Sequence, residues 1–248
     1  MATWVDSKFV GGVSELTLLT PIKRGKVVYT GDDGKQVHEE RTYEERLNEH
    51  LKSVQKRIDD GIVTSVSRIA TIHFARWQIL LPAHYLAYDT DKVDDRPPTP
   101  LDALLGLPKQ KNFDLYRPWL LFTSNFDGDL KTYLNEFSAL IANDVDRIWG
   151  NCEGYPEEGC INFDAYWAYA KKHQITTQAF FNAYPGLGVA RIRELALFRE
   201  RFDALVARTR APNGSSSPQL LAEFDKFLSD NLSYPQNFPA IGGLFNAK

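Results

Sequence analysis

The sequence predicts an α+β fold, an antiparallel sheet with helices on one face and extra helices towards the C-terminus. Three observations predict it. Four stretches rich in β-branched and aromatic residues have strand length, at 14–22, 70–81, 116–124 and 175–184. Longer stretches between and after them repeat apolar residues at helical spacing, most clearly 42–61, 128–150 and 189–209. The elements come in the order strand, helix, strand, strand, helix, strand, helix, with a hairpin inserted after the first strand.

Each element has a local reason. "SELTLLTPI" alternates and is stopped by Pro21 and the polar "KRG". "KVVYTGDDGKQVHEE" reads as a hairpin turning at Asp33-Gly34. Thr42 and Glu45 have capping-box spacing, Leu47, Leu51, Val54 and Ile58 follow as a stripe, and Gly61 ends the helix. "ATIHFARWQILL" is a strand ended by Pro82. Residues 82–115 are rich in Pro and Asp and read as an excursion from the fold, too short for a domain. "YRPWLLFTS" is the next strand, and 128–150 one long helix. Asn162 caps a shorter helix in "NFDAYWAYAKKHQ", "ITTQAFFNAY" is a strand closed by "PGLG", and 189–209 is a helix. A spacer, "APNGSSS", then leads into the 211–248 C-terminal helix and tail. With no internal repeat, residues 1–248 read as a single α+β domain. The order is that of the split βαβ, or ferredoxin-like, sheet. Its second face needs a cover, and a second copy of the same sheet supplies one, which makes a homodimeric α+β barrel the expected assembly.

Bulk properties remove several function classes. Lys and Arg number 29 against 32 Asp and Glu, spread along the chain, so no basic footprint for nucleic acid exists. No apolar run approaches the ~20 residues of a membrane span. "MATWVDSKFVGG" lacks the basic start and apolar block of a signal peptide, so a cytoplasmic protein is expected. Cys152 and Cys160 have no nearby histidine, which argues against zinc. Reduced thiols are expected, with a loop disulfide as the alternative. The five histidines show neither i, i+4 nor His-x-His spacing, so no metal constellation is expected.

The chemistry-bearing residues gather on the strands. Along 70–81, Thr71, His73, Ala75, Trp77 and Ile79 alternate with Ile72, Phe74, Arg76, Gln78 and Leu80, leaving one strong polar group on each apolar face. His73 suits a general base or a ligand, or else a buried imidazole bonded to backbone or to a carboxylate; Arg76 suits an anion or carboxylate, or else an acid from the helix layer. Antiparallel pairing of 70–81 with 116–124 brings Asn125 and Asp127 near His73. Asn-Phe-Asp occurs three times, at 112–114, 125–127 and 162–164, and only the middle copy follows an apolar strand and precedes a glycine. Asp127 is therefore either a catalytic acid or, with Asn125, a cap of the following helix. A pocket beside the sheet is expected to use Trp77, Phe122 and Phe181 as walls and Asn125, Tyr184 and Arg191 as polar contacts. Its ligand is a small hydrophobic or aromatic molecule carrying one anionic group. Gly186 and Gly188 precede a helix, but Arg191 stands where a dinucleotide fingerprint needs its third glycine.

The split βαβ order together with "SNFDG" resembles the dye-decolourising peroxidases and their dimeric α+β-barrel relatives. Asp127 and Gly128 match the last two positions of the Gly-x-x-Asp-Gly motif, and Ser124 stands at its first. The resemblance implies an oxidoreductase, peroxidase- or oxygenase-like, with Asp127 as an acid over haem. That family also uses a proximal histidine on a late helix and a distal arginine, and the only histidine in the second half of the chain is His173. The other expectation is a non-catalytic dimeric barrel binding a hydrophobic ligand or a partner protein.

Overall fold

The structure, a computed structural model, describes residues 7–31, 34–85, 117–210 and 217–231. They form a mixed α and β protein in two compact units, one of residues 7–9 and 14–181, the other of residues 10–13 and 182 onwards. Asp33, most of the 82–115 excursion, the first Asn-Phe-Asp copy and the tail from 232 lie outside the described residues.

In the larger unit, β2 (Val13–Pro21), β5 (Ile72–Leu80) and β6 (Trp119–Asp127) make a sheet with β6 in the middle, and β1 (Phe9–Val10) extends it beside β2. The β5–β6 pair is antiparallel, from Ile72 opposite Phe126 to Leu80 opposite Trp119. β6 also runs antiparallel to β2. The Ile22 amide donates to the Pro118 carbonyl, and the Thr20 and Ser14 hydroxyls donate to the carbonyls of Leu120 and Gly128, so one number falls as the other rises. Gly11 and Gly12, both at positive φ, turn β1 into β2, a two-residue hairpin that the sequence reading passed over.

Strand 175–184 does not form. Gln174 makes one antiparallel bridge to Leu18, and the Ile175 amide reaches the Thr17 carbonyl at 3.0 Å. The Thr177 hydroxyl then turns to the Glu15 carboxylate at 2.7 Å. The rest of that β2 edge is already occupied, with the Glu15 amide on the Lys8 carbonyl, so residues beyond 177 have no edge to pair with. The hairpin does form, from β3 (Lys26–Thr30) and β4 (Gln36–Thr42). Thr42 and Glu45 close their capping box at the start of α1 (Tyr43–Asp59), and Gly61, at φ +70°, follows its end.

The expected 128–150 helix is two helices, α3 (Leu130–Leu140) and α4 (Ala142–Trp149), because Ile141 leaves helical dihedrals at φ −136°. Asp144 in the first turn of α4 accepts the Ser65 hydroxyl, a side-chain bond available to short polar residues that favour helix starts over helix interiors. α5 (Phe163–His173) is capped by Asn162 as expected. These helices cover one sheet face. Leu16, Leu18, Leu120, Phe122 and Phe126 meet Phe137, Val145, Trp149 and Tyr166 in one apolar cluster. Phe122 is its centre, with ring centroids 5.1 Å from Trp77 and 5.2 Å from Trp149.

The second unit pairs α6 (Val189–Thr209) with α7 (Ser217–Asn231) through Phe198 and Phe202 on Phe227. There the Gly186 amide donates to the Gly11 carbonyl at 2.7 Å, and a Cβ on Gly11 would meet Pro185 at 2.5 Å. Among the described residues no helix is long and apolar enough to cross a membrane. A short helix, α2 (Pro82–Tyr85), follows β5.

Replacing fully buried Phe122 with alanine is expected to cost about 3–5 kcal/mol. Alanine at Ile161, 74% exposed, should stay within about 0.5 kcal/mol. Urea unfolding of both variants measures the contrast.

Candidate functional site

The site lies where β5 and β6 meet at the end of the ladder. Between Ile72 and Phe74 the register slips by one residue, as a β-bulge does. Before the slip Ile72 packs on the core, and after it Ala75, Trp77 and Ile79 do. His73 is the extra residue, so it leaves the row of Trp77 that strict alternation assigns to it. Its Nε2 lies 2.7 Å from the Asp127 Oδ1, and the two side chains are 11% and 26% exposed. The Asp127 amide donates to the Thr71 carbonyl at 2.9 Å, which pins the strand end beside the bulge.

Thr123, Asn125 and Asp127 alternate with buried Phe122, Ser124 and Phe126, so they stand on the sheet face away from the helices. Phe74, Arg76 and Gln78 are exposed on that face, with Arg76 opposite Thr123 and Phe74 opposite Asn125. The structure thus brings His73 and Asp127 into contact and sets Asn125 and Arg76 on the same surface. It does not assemble the expected pocket. Trp77 and Phe122, paired across the β5–β6 ladder, face the helices and belong to the core, so neither is on the His73–Asp127 surface. Phe181 is 86% exposed. Tyr184, 69% exposed, and Arg191 belong to the other unit, where Arg191 pairs with Glu194 at 2.9 Å across one helical turn.

Neither Asn125 nor Asp127 caps the next helix. β6 runs on through Asp127, Gly128 turns the chain at φ +88°, and Asp129 is the cap, its carboxylate accepting the Thr132 amide at 2.9 Å and hydroxyl at 2.6 Å. The Thr132 side-chain and backbone bonds hold the Asp129 carboxyl below the usual range.

Just past Asp127, on the helix side of the sheet, a cavity of about 800 Å³ is lined by residues 128–131, Ser7, Phe9, Ser14, Trp167 and Lys171. The Lys171 ammonium, buried in a side chain 8% exposed overall, donates to Gln174 at 2.7 Å and lies 5.7 Å from the Trp167 ring. Sequence reasoning missed Lys171, which reads as an ordinary basic residue in a last helical turn. It also missed Glu15, 4% exposed, whose carboxylate takes the Lys8 amide and the Thr177 hydroxyl. The Ser-Glu-Leu-Thr alternation was the available signal for Glu15.

Haem does not fit these residues. Asp127 is bound to His73. His173 packs its ring 4.7 Å from Tyr169, and it is not among the residues lining the cavity at Gly128. Burial holds His173 towards its neutral form. Among the described residues no group of three or more His, Cys, Asp or Glu is arranged to hold a metal ion. Cys152 and Cys160 are both free and buried, and burial pushes their thiols up to about 12 and about 11.

No protein-family model, curated protein or solved structure matches this chain.

Two outcomes follow from this geometry. Asp129→Ala should cost about 1 kcal/mol in urea unfolding at neutral pH, whereas Asp127→Ala leaves the α3 cap in place. Because the folded-state carboxyl of Asp129 is depressed, its contribution is present above the unfolded value and fades as pH falls through the folded one. A thiol reagent at mildly alkaline pH should label neither cysteine in the folded protein and both in denaturant, counted by absorbance of the released group.

Proposed function

We propose that this protein is an oxidoreductase of the cofactor-poor oxygenase type, acting on a small hydrophobic or aromatic substrate at the outward face of its sheet. The observation that carries this reading is the His73–Asp127 pair at 2.7 Å, held at a β-bulge with Asn125 and Arg76 on the same face. Asp127 engages Nε2 and orients the ring, which leaves Nδ1 to take a proton from the substrate. Removing that proton from a phenol or enol yields an electron-rich anion able to react with dioxygen. Arg76 offers a planar guanidinium for the negative charge. Because haem does not fit, the oxygenase version is preferred to the peroxidase version.

A ferredoxin-like sheet in a homodimeric α+β barrel is part of the proposal. Its support is the order β2-β6-β5, with β6 antiparallel between the other two, and the exposure of Phe74 on the face a second copy would cover.

A second reading, a non-catalytic protein binding a hydrophobic ligand, is favoured by a different observation. The cavity of about 800 Å³ at Gly128 has Phe9, Leu130 and Trp167 in its wall, while its two lysines suit an acidic headgroup.

Dioxygen uptake measured across a panel of phenols, quinols and enolisable aromatics tests the first reading. A substrate turned over by the native protein should lose about 10²- to 10⁴-fold in rate with His73→Gln or Asp127→Asn, at unchanged melting temperature. Equal rates in native and variant proteins would sink the acid–base role. Uptake absent across the panel, with a copurifying aromatic or aliphatic acid seen by mass spectrometry, selects the second reading.

A further inference from the structure

A second cleft stands apart from the His73–Asp127 site, between the β3–β4 hairpin, α1 and α4. It measures about 820 Å³, and its wall holds three arginines, Arg41, Arg46 and Arg147, together with His50. We propose that this cleft is a binding site for a small oxyanion, the phosphoryl or carboxylate group of a metabolite-sized ligand.

Of the three guanidinium groups, Arg41 is ion-paired to two acids and Arg46 lies near one, so Arg147 carries the charge that no described acid compensates. Glu49 is held by Arg41, which also binds Glu39. The Asp146 carboxylate is spent on the Tyr155 hydroxyl and the Cys160 amide, groups of the 155–160 loop. Arg46 is braced from behind, its Nε donating to the Asn151 side chain at 2.7 Å, which leaves its terminal nitrogens as donors, one of them 3.6 Å from Glu39. The Arg147 side chain makes no hydrogen bond or ion pair with any described residue. It stands in a cleft whose other guanidiniums are already oriented, which is the arrangement that bidentate recognition of an oxyanion uses.

His50 adds an independent observation. Its Nε2 is buried and finds no partner among the described residues, an orphan that native structures rarely keep without a use. Burial favours its neutral form, with Arg147 acting in the same direction and Asp144 against it. A bound oxyanion gives the surrounding donors an acceptor without placing a further cation among the arginines.

Isothermal titration calorimetry of the full chain with sodium pyrophosphate and, separately, with citrate at physiological ionic strength tests the proposal. Binding of either, weakened tenfold or more by Arg147→Gln at unchanged melting temperature, supports it. Pyrophosphate alone identifies the group as phosphoryl, and citrate alone as carboxylate. A double variant, Arg41→Gln with Arg147→Gln, should abolish the heat. Absence of binding by both anions, or binding that Arg147→Gln leaves unchanged, overturns the proposal. His73→Gln is expected to leave anion binding unaltered, so a failure here is distinct from failure of the oxygenase reading.

Discussion

The antiparallel ladder between β5 and β6 is the constraint from which the larger unit takes its shape. It carries Phe122 and Phe126 on one face and Thr123, Asn125 and Asp127 on the other. The first row needs a cover, and α3, α4 and α5 supply it, so that Phe122 touches Trp77, Phe137 and Trp149. Phe126 stacks on Tyr133 at 3.8 Å, and the Tyr133 hydroxyl meets Ser124 at 2.5 Å, a polar pair made tolerable inside the core by satisfying itself. With one face closed this way, the polar row has no other place than outward.

The β-bulge at the end of that ladder separates packing from chemistry. A strand in perfect alternation would line His73 up with Ala75 and Trp77, against the helices. One extra residue changes the row, and the imidazole meets a carboxylate at the sheet's outward edge instead. The same turn of chain frees Asp127 from capping, because Gly128 lets the strand end and Asp129 begin the helix.

Charge is distributed with a similar economy of partners. Buried Glu15 is satisfied by an amide and hydroxyls, and Arg117, 8% exposed, reaches the Ile22 carbonyl and Glu153 and stacks near Trp119. These groups brace the sheet's ends. The arginines around His50 differ in that they line a cleft, where Arg41 is held by Glu39 and Glu49 and Arg46 by Asn151 while Arg147 has no such tie among the described residues.

Much was legible in the sequence because it depends on neighbours along the chain. The Thr42–Glu45 capping box, the Asn162 cap, the glycine after α1 and the apolar strand at 116–124 all rest on local spacing or composition. The closeness of His73 to Asp127 was legible too, since adjacent antiparallel strands place the end of one beside the start of the other. The choice of Asp129 over Asp127 as cap was not, because both follow a strand at plausible offsets, and only the true end of the β6 pairing separates them. The loss of strand 175–184 was not legible either. Its sequence has strand composition, but a strand needs a free edge, and β1 had taken most of the one on offer. The arginine cleft joins residues more than a hundred positions apart, which no local pattern announces. Local hydrogen bonding and periodicity determined the elements, while competition for edges, the one-residue slip at His73 and the meeting of distant side chains were decided by tertiary structure. Those are properties of partners, and a sequence states partners only when they are near.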